Sequence, residues 1–269
     1  MVERLVKRLH HTDADIYVQL DKKADMSDFA YIAATDGVWF IKKRVLTAWG
    51  NYSIIQATLN GLEEILQSGT AYTHINLLSG QDYPLKSIEN IHQFLFDHAD
   101  KTFTSSLSIA GNEWADGVTR MQKYSFGDYN LPAKYKLQAL ANAILPKRKL
   151  PYHLKPYGRS QWLTITPECA AYALSYLKDR PRLKRFFRMT WAVDEVFFQT
   201  ILENSPLRDK LVNDNLRYIE QEGANRPNIF TIADADKLVA SGKLFARKFD
   251  TDTDTAIFDR LDNMADHKI

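Results

Sequence analysis

The chain has 269 residues, of which 45% are hydrophobic and 25% charged, as in ordinary globular proteins that bury a substantial core. With 35 Lys and Arg against 33 Asp and Glu, the net charge is +2, so the overall charge gives no reason to expect nucleic acid as a partner. The single cysteine, Cys169, excludes a disulfide within this chain and a zinc site built on several thiolates.

The sequence predicts one cytoplasmic domain. No apolar run approaches the ~20 residues that span a bilayer. The amphipathic start, MVERLVKRLHHTDAD, lacks the apolar core of a secretory signal. We therefore expect a cytoplasmic protein, either free or peripheral at the inner face of the membrane. No linker or repeat divides residues 1–269, which favours a single domain.

Short strands and amphipathic helices alternate along the chain. In the first hundred residues the apolar periodicity predicts a helix at 2–9, strands at 16–20 and 38–41, a helix at 51–67, a strand at 72–78 and a helix at 87–96. Further on it predicts strands at 103–109, 162–165, 216–219 and 244–249, and helices at 134–144, 194–202 and 234–240 and from 167 and 255. This alternation predicts an α/β fold with a mostly parallel central sheet flanked by helices, whose ligands lie beyond the carboxyl ends of the strands.

Polar residues follow one of these strands in the segment LLSGQDYPL. Gly80 permits a sharp turn, and Ser79, Gln81 and Asp82 present polar groups at the strand end. The segment is either an ordinary strand–loop–helix connection or part of a binding site.

Two carboxylates, Asp194 and Glu195, open a predicted helix. In one interpretation Asp194 caps the helix and Glu195 interacts with its dipole. In the other, Glu195 is a general base that takes the proton from an attacking hydroxyl group.

The segment LFARKFD carries two adjacent cations, Arg247 and Lys248, with Arg226 upstream. Side chains alternate along a strand, so one of the two can face a site while the other faces solvent. Fixed cations stabilise the charge of a diphosphate leaving group, although ordinary cations at a strand edge would give the same pattern.

Asp-x-Asp patterns of the kind that hold a divalent metal in many sugar transferases occur at Asp13/Asp15, Asp234/Asp236 and Asp250/Asp252/Asp254. The first opens a predicted strand, and the others lie at helix starts, where acidic residues are favourable anyway. We expect no metal.

Seven segments occur in the same order in a known family. They are IYVQLD at 16–21, Trp49-Gly50, LLSGQDYPL, Ser160-Gln161-Trp162, DEVFFQTIL, LRYI and LFARKFD. Together they resemble the Core-2/I-branching enzymes of glycosyltransferase family 14, which include β-1,6-N-acetylglucosaminyltransferases and peptide O-xylosyltransferases. Without disulfides or a membrane anchor, the sequence resembles a bacterial-type member.

The resemblance implies a Rossmann-like GT-A fold and inverting transfer of N-acetylglucosamine or xylose from a UDP-sugar to a hydroxyl of a glycan or glycoconjugate, without a metal or other cofactor. By position, Glu195 matches the catalytic base, and Lys248 and Arg226 match the cations on the diphosphate. Asp21 matches the uridine contact. Further residues expected to line the site are Ser79, Gln81, Asp82, Trp162 and Gln221.

Two features depart from the family pattern. The family's first strand, which precedes the first helix, is absent from this sequence, and Gln221 stands where the family often has an acceptor-binding Trp. Two alternatives therefore stay open. One is a catalytically weak or inactive sugar-binding relative with the same fold, and the other is a transferase that uses a metal at an Asp-x-Asp pair.

Overall fold

The computed structural model describes residues 1–111, 113–222 and 226–266, without the side chains of residues 222, 226 and 266. The helices are α1 (Val2–Leu9), α2 (Ala30–Ala33), α3 (Tyr52–Gln67), α4 (Ile88–Asp97), α5 (Ala115–Gln122), α6 (Lys134–Ile144), α7 (Pro167–Lys178), α8 (Pro181–Arg188), α9 (Phe197–Glu203), α10 (Ala235–Ala240) and α11 (Ala256–Asp266). The strands are β1 (Ile16–Val18), β2 (Val38–Phe40), β3 (Ile75–Asn76), β4 (Asp82–Pro84), β5 (Thr102–Ser108), β6 (Tyr157–Ile165), β7 (Leu211–Asn213), β8 (Arg217–Ile219), β9 (Gln221–Glu222), β10 (Arg226–Pro227) and β11 (Phe245–Arg247).

The strands form two principal sheets. One has the order β3-β6-β5-β7, in which β6 runs antiparallel to both of its neighbours and β5 runs parallel to β7. The other has the order β4-β11-β8, in which β11 is antiparallel to β4 and parallel to β8. Two small pairs complete the set, β1 with β2 in parallel and β9 with β10 antiparallel.

The mixed α/β composition is confirmed, but the mostly parallel sheet is not. The prediction assumed that each helix connects two strands that run parallel to each other. Between β5 and β6, however, 48 residues with two helices intervene, and β6 returns antiparallel to β5. Side chains alternate with a period of two in either direction, so the apolar pattern could not reveal the orientation.

Most helices have the predicted bounds to within a residue or two, including α1, α3 and α6. The central core packs α3, α7 and α9 around β6, with Phe187, Phe197 and Ile165 fully buried. A second cluster packs α1, α10 and α11 against β4 and β11. None of the described helices is long and apolar enough to cross a membrane. The single-domain prediction stays a prediction.

Candidate active site

Glu195 ends a short 3-10 turn, Val193–Glu195, between two packing constraints. On one side, Ala192 has a left-handed backbone (φ 49°, ψ 44°) and donates its N–H to the carbonyl of Gly50 at 2.6 Å. On the other side, Gly158 of β6 lies so close that a Cβ there would be 2.5 Å from the carbonyl oxygen of Glu195. The position of the Glu195 backbone is therefore set by two distant segments.

The helix that follows, α9, is fastened to β6 by side chains. Gln199 donates to the carbonyl of Ser160 at 2.6 Å and to Thr104 Oγ1 at 2.9 Å. Thr200 Oγ1 accepts from the N–H of Tyr157 at 3.2 Å and donates to its carbonyl at 2.8 Å. These bonds hold Glu195 at the amino end of β6.

The Glu195 carboxylate is partly exposed, and Arg120 holds one of its oxygens. Arg120 Nη1 bonds Glu195 Oε2, while no donor among the described residues bonds Oε1. The guanidinium lies over the rings of Trp114 and Trp191, at 4.8 and 5.2 Å. The side chain of Glu195 is 34% exposed. The free oxygen is therefore available to a hydroxyl group that approaches from solvent.

Asp194 does not cap the helix, contrary to one of the two interpretations from sequence. The N-cap of α9 is Val196, and no side chain there accepts a cap hydrogen bond. Asp194 is instead buried, and its Oδ1 has no hydrogen-bond partner among the described residues. Burial, followed by the neighbouring charge of Glu195, raises the pKa of Asp194 to about 6.

A pair of exposed indoles lies beside the Arg120 guanidinium that binds this carboxylate. Trp191 packs edge-on against Trp49 with 5.3 Å between ring centroids, and the two side chains are 40% and 77% exposed. Gly50, with φ +70°, allows this packing, because a Cβ there would be 2.9 Å from Trp191 Nε1. Sequence analysis did not select Trp191, Trp114 or Arg120. Trp191 lies only four residues before Glu195, and this closeness in sequence to the predicted base could have identified it as a candidate.

A second cluster forms at the loop after β3. Arg247 Nη1 donates to Ser79 Oγ and Asp82 Oδ1, both at 2.7 Å, and its guanidinium lies 4.3 Å from the Trp162 ring. Asp82 also accepts from the Ser79 N–H at 2.8 Å. Burial raises the pKa of Asp82, and the charge of Arg247 opposes this. The structure thus brings together three predicted residues, Ser79, Asp82 and Trp162, around a cation that sequence analysis had not chosen as a site residue.

Lys248 follows Arg247, and its side chain is half-buried with no ion-pair partner among the described residues. Its carbonyl accepts from the N–H of Phe230 at 2.9 Å. Gln81 lies next to this segment, since its carbonyl accepts from the N–H of Phe249 at 2.9 Å. Arg247 is therefore neutralised locally by Asp82, whereas the Lys248 ammonium stays available.

The remaining predicted residues lie apart from these clusters or outside the description. The Asp21 carboxylate accepts from Lys23 N at 2.9 Å and from Thr47 N at 3.1 Å, and it also bonds the Thr47 hydroxyl. Burial alone would raise the pKa of Asp21, but these bonds outweigh it and lower the pKa. Gln221 is exposed on β9. The side chain of Arg226 lies outside the described residues.

Strand β6 connects the two clusters. Gly158 contacts the backbone of Glu195, and Trp162, four residues later, contacts Arg247. At 3.2–3.4 Å per residue, these two positions on β6 are at most about 14 Å apart.

The sequence model of the Core-2/I-Branching enzyme family matches residues 1–238. The chain belongs to this family. It is 26% identical over 289 residues to xylosyltransferase 2 of Rattus norvegicus, an alignment that covers 97% of this chain and 32% of the rat protein. Xylosyltransferase 2 of Homo sapiens is also 26% identical (97% and 31% covered), and the xylosyltransferase of Ciona intestinalis is 24% identical (97% and 32%). The chain spans about a third of the length of these relatives.

The described residues include no group of three or more His, Cys, Asp or Glu side chains placed to hold a metal ion. Several Asp-x-Asp carboxylates have local partners instead. Asp15 accepts from the Trp39 indole at 3.1 Å, and Asp234 accepts from the N–H of Thr231 at 2.9 Å. Metal independence stays a prediction.

Proposed function

We propose that this chain is an inverting glycosyltransferase that moves a sugar from a UDP-sugar to a hydroxyl group of a glycan or glycoconjugate. The observation that carries the proposal is the partly exposed Glu195 carboxylate, which has one oxygen held by Arg120 and the other without a donor among the described residues. Arg120 also contacts Trp191, one of a pair of exposed indoles. Sugar rings stack on aromatic faces, so Trp49 and Trp191 offer a surface for the acceptor next to a base.

In this mechanism Glu195 Oε1 takes the proton of the acceptor hydroxyl as its oxygen attacks the anomeric carbon. A new C–O bond forms on one face of the sugar while the bond to the UDP oxygen breaks on the other, so the anomeric configuration inverts. Arg120 fixes the carboxylate through Oε2, and this leaves the geometry of Oε1 constant during the transfer.

The departing UDP carries the negative charge that develops in the transition state. We assign its stabilisation to Lys248, with Arg226 as the second cation and no metal. In support, Lys248 has no carboxylate partner among the described residues, whereas Arg247 already pairs with Asp82. The GT-A fold, the contact of Asp21 with uridine, and Gln81 and Gln221 as lining residues belong to the same proposal.

Xylose and N-acetylglucosamine are the proposed donor sugars. The names of the relatives favour xylose, since each is called a xylosyltransferase. UDP-xylose and UDP-N-acetylglucosamine are therefore the first donors to test.

The test compares UDP release and product formation by the native chain and Glu195→Gln, with both donors, a panel of hydroxyl acceptors and excess EDTA. Removing the base should lower turnover roughly 10²–10⁴-fold and leave donor binding unchanged. Glu168→Gln is the matched control, since Glu168 also forms an ion pair, with Lys210, and should keep full activity. Full activity in Glu195→Gln would overturn the assignment, and loss of activity in EDTA alone would favour the metal-dependent alternative.

A further inference from the structure

Positive charge is concentrated in two segments of the chain. Residues 123–159 and 178–188 together contain 14 of the 35 Lys and Arg but only 2 of the 33 Asp and Glu. The rest of the chain therefore has 21 basic and 31 acidic residues. The molecule is nearly neutral overall, but these two segments carry a net positive charge and the rest of the chain carries a net negative charge.

These two segments pack against each other and form one surface, which we call the basic face. Arg148 donates to the carbonyls of Lys123 and Met189. Its guanidinium lies 4.0 Å from the ring of Phe186. The guanidinium of Arg188 lies 5.3 Å from the ring of Tyr129. Arg148 and Arg188 thus hold the two segments together.

Helix α6 adds an exposed apolar stripe to the basic face. Leu137, Leu140 and Ile144 follow the i, i+3, i+7 spacing of one helix face, and 43%, 55% and 69% of their surfaces are exposed. Only Ala141 is buried among the residues of α6. Tyr135, beside the stripe, is 70% exposed.

Polar side chains attach α6 to the protein. Gln138 Oε1 accepts from the N–H of Phe126 at 2.9 Å, and Lys134 Nζ donates to the carbonyl of Gly127 at 3.0 Å. Asn142 bonds both the N–H and the carbonyl of Tyr124, at 2.8 and 2.9 Å. A helix whose polar side chains face the protein leaves its leucines in water, where their exposure is unfavourable unless a partner covers them.

Unpaired lysines flank the stripe. Lys136, Lys147 and Lys149 are exposed, and none has an ion-pair partner among the described residues. Lys147 and Lys123 border a groove of about 230 Å³ beside the end of α6. An apolar helix face flanked by lysines is the pattern of helices that lie in a membrane interface.

We propose that the basic face and the α6 stripe bind an anionic phospholipid membrane, with α6 in the plane of the interface. A polyanionic glycan would satisfy the lysines but leave the three aliphatic side chains in water. A second copy joined through the same face would bring an equal excess of positive charge against the first, which is repulsive. An anionic bilayer supplies both missing partners, phosphate charge and hydrocarbon. The proposal does not depend on the transferase reaction.

The experiment is flotation of the chain with vesicles of phosphatidylcholine alone or mixed with phosphatidylglycerol. Binding should require the anionic lipid and should weaken as salt is raised. Each Lys near an anionic surface contributes about 1 kcal/mol, so Lys136→Glu/Lys147→Glu should weaken binding by about 30-fold or more. Leu140→Ser/Ile144→Ser should weaken it on the order of 10-fold while circular dichroism stays unchanged, since both side chains are exposed.

Matched controls come from elsewhere on the surface. Lys42→Glu/Lys86→Glu makes the same charge change outside the basic face, and Phe96→Ser/Ile232→Ser removes exposed apolar side chains outside α6. Both control pairs should bind vesicles nearly as the native chain does. The proposal is overturned if anionic vesicles are not bound, or if the control pairs weaken binding as much as the test pairs. Self-association through α6, or binding of heparin without vesicle binding, would also overturn it.

Discussion

At the scale of single residues, the adjacent carboxylates Asp194 and Glu195 have opposite environments. Glu195 reaches solvent and has a cationic partner, whereas Asp194 is buried and its Oδ1 has no hydrogen-bond partner in the described part of the chain. Burial therefore holds the pKa of Asp194 near 6, and the charge of Glu195 adds to this shift. The raised pKa of Asp194 thus has a cause, burial, that appears only in the folded chain.

We predict that Asp194→Asn stabilises the protein above pH 6. The folded-state pKa of about 6 exceeds the unfolded value of 3.8, so the native state loses stability as pH rises between these values. Asn cannot ionise and avoids this loss, which corresponds to about 3 kcal/mol at full ionisation. Thermal unfolding from pH 4 to 8 measures the difference, which should disappear near pH 4. In a Glu195→Gln background the gain should be smaller. A gain that is equal at all pH values would contradict the assignment.

We predict that Lys248→Ala lowers turnover roughly 10²–10³-fold and weakens UDP binding. The variant loses the fixed positive charge that is proposed to stabilise the departing UDP. Turnover and UDP titration calorimetry measure the two effects. Lys243→Ala serves as the control. Lys243 lies just before β11, as Lys248 lies just after it, but Lys243 pairs with Asp214 at 2.6 Å. If both variants bind UDP like the native chain, Lys248 does not contact the diphosphate.

At the scale of elements, the position of the Glu195 turn depends on its contact with β6. A Cβ at Gly158 would be 2.5 Å from a backbone oxygen and 2.7 Å from Val196 Cγ1. Neither atom belongs to a flexible side-chain end, so the turn itself would have to move. Small displacements of a base are costly in catalysis.

Gly158→Ala should therefore lower turnover at least about 100-fold and destabilise the fold by roughly 1–3 kcal/mol. Gly61→Ala is the matched control. Gly61 lies within α3, its nearest neighbour would be 3.8 Å from the new Cβ, and Ala should add up to about 1 kcal/mol of stability with full activity. Denaturant unfolding and initial rates give both quantities. An active Gly158→Ala enzyme would show that the turn is not held by this contact.

At the scale of the whole molecule, Arg217 joins the two principal sheets. It belongs to β8, yet its guanidinium donates to the carbonyls of Leu77 and Leu163, both at 3.1 Å, and to Thr164 Oγ1 at 2.7 Å. Burial lowers the pKa of Arg217 to about 10, so it stays charged at neutral pH. The two principal sheets therefore share a buried cation.

Arg217→Met should destabilise the protein by about 3–5 kcal/mol, because it removes the buried hydrogen bonds of the guanidinium to backbone carbonyls and to Thr164, and it takes one positive charge away from Asp82. Arg260→Met, at the exposed ion pair with Asp236, should change stability by less than about 1 kcal/mol. Chemical unfolding of both variants makes the comparison. Equal, small effects would mean that the sheets do not rely on this contact.

The sequence by itself determined the family and most of the elements, because these depend on local periodicity and on the order of short segments. It also singled out Ser79, Asp82, Trp162 and Glu195 as candidate site residues. The tertiary structure decided the strand directions and the burial of Asp194. It also revealed the pairing of Arg120 with Glu195 across 75 positions and of Arg247 with Asp82 across 165. Ion pairs and burial depend on distances through space between residues far apart in the chain, and no periodicity in the sequence encodes those distances.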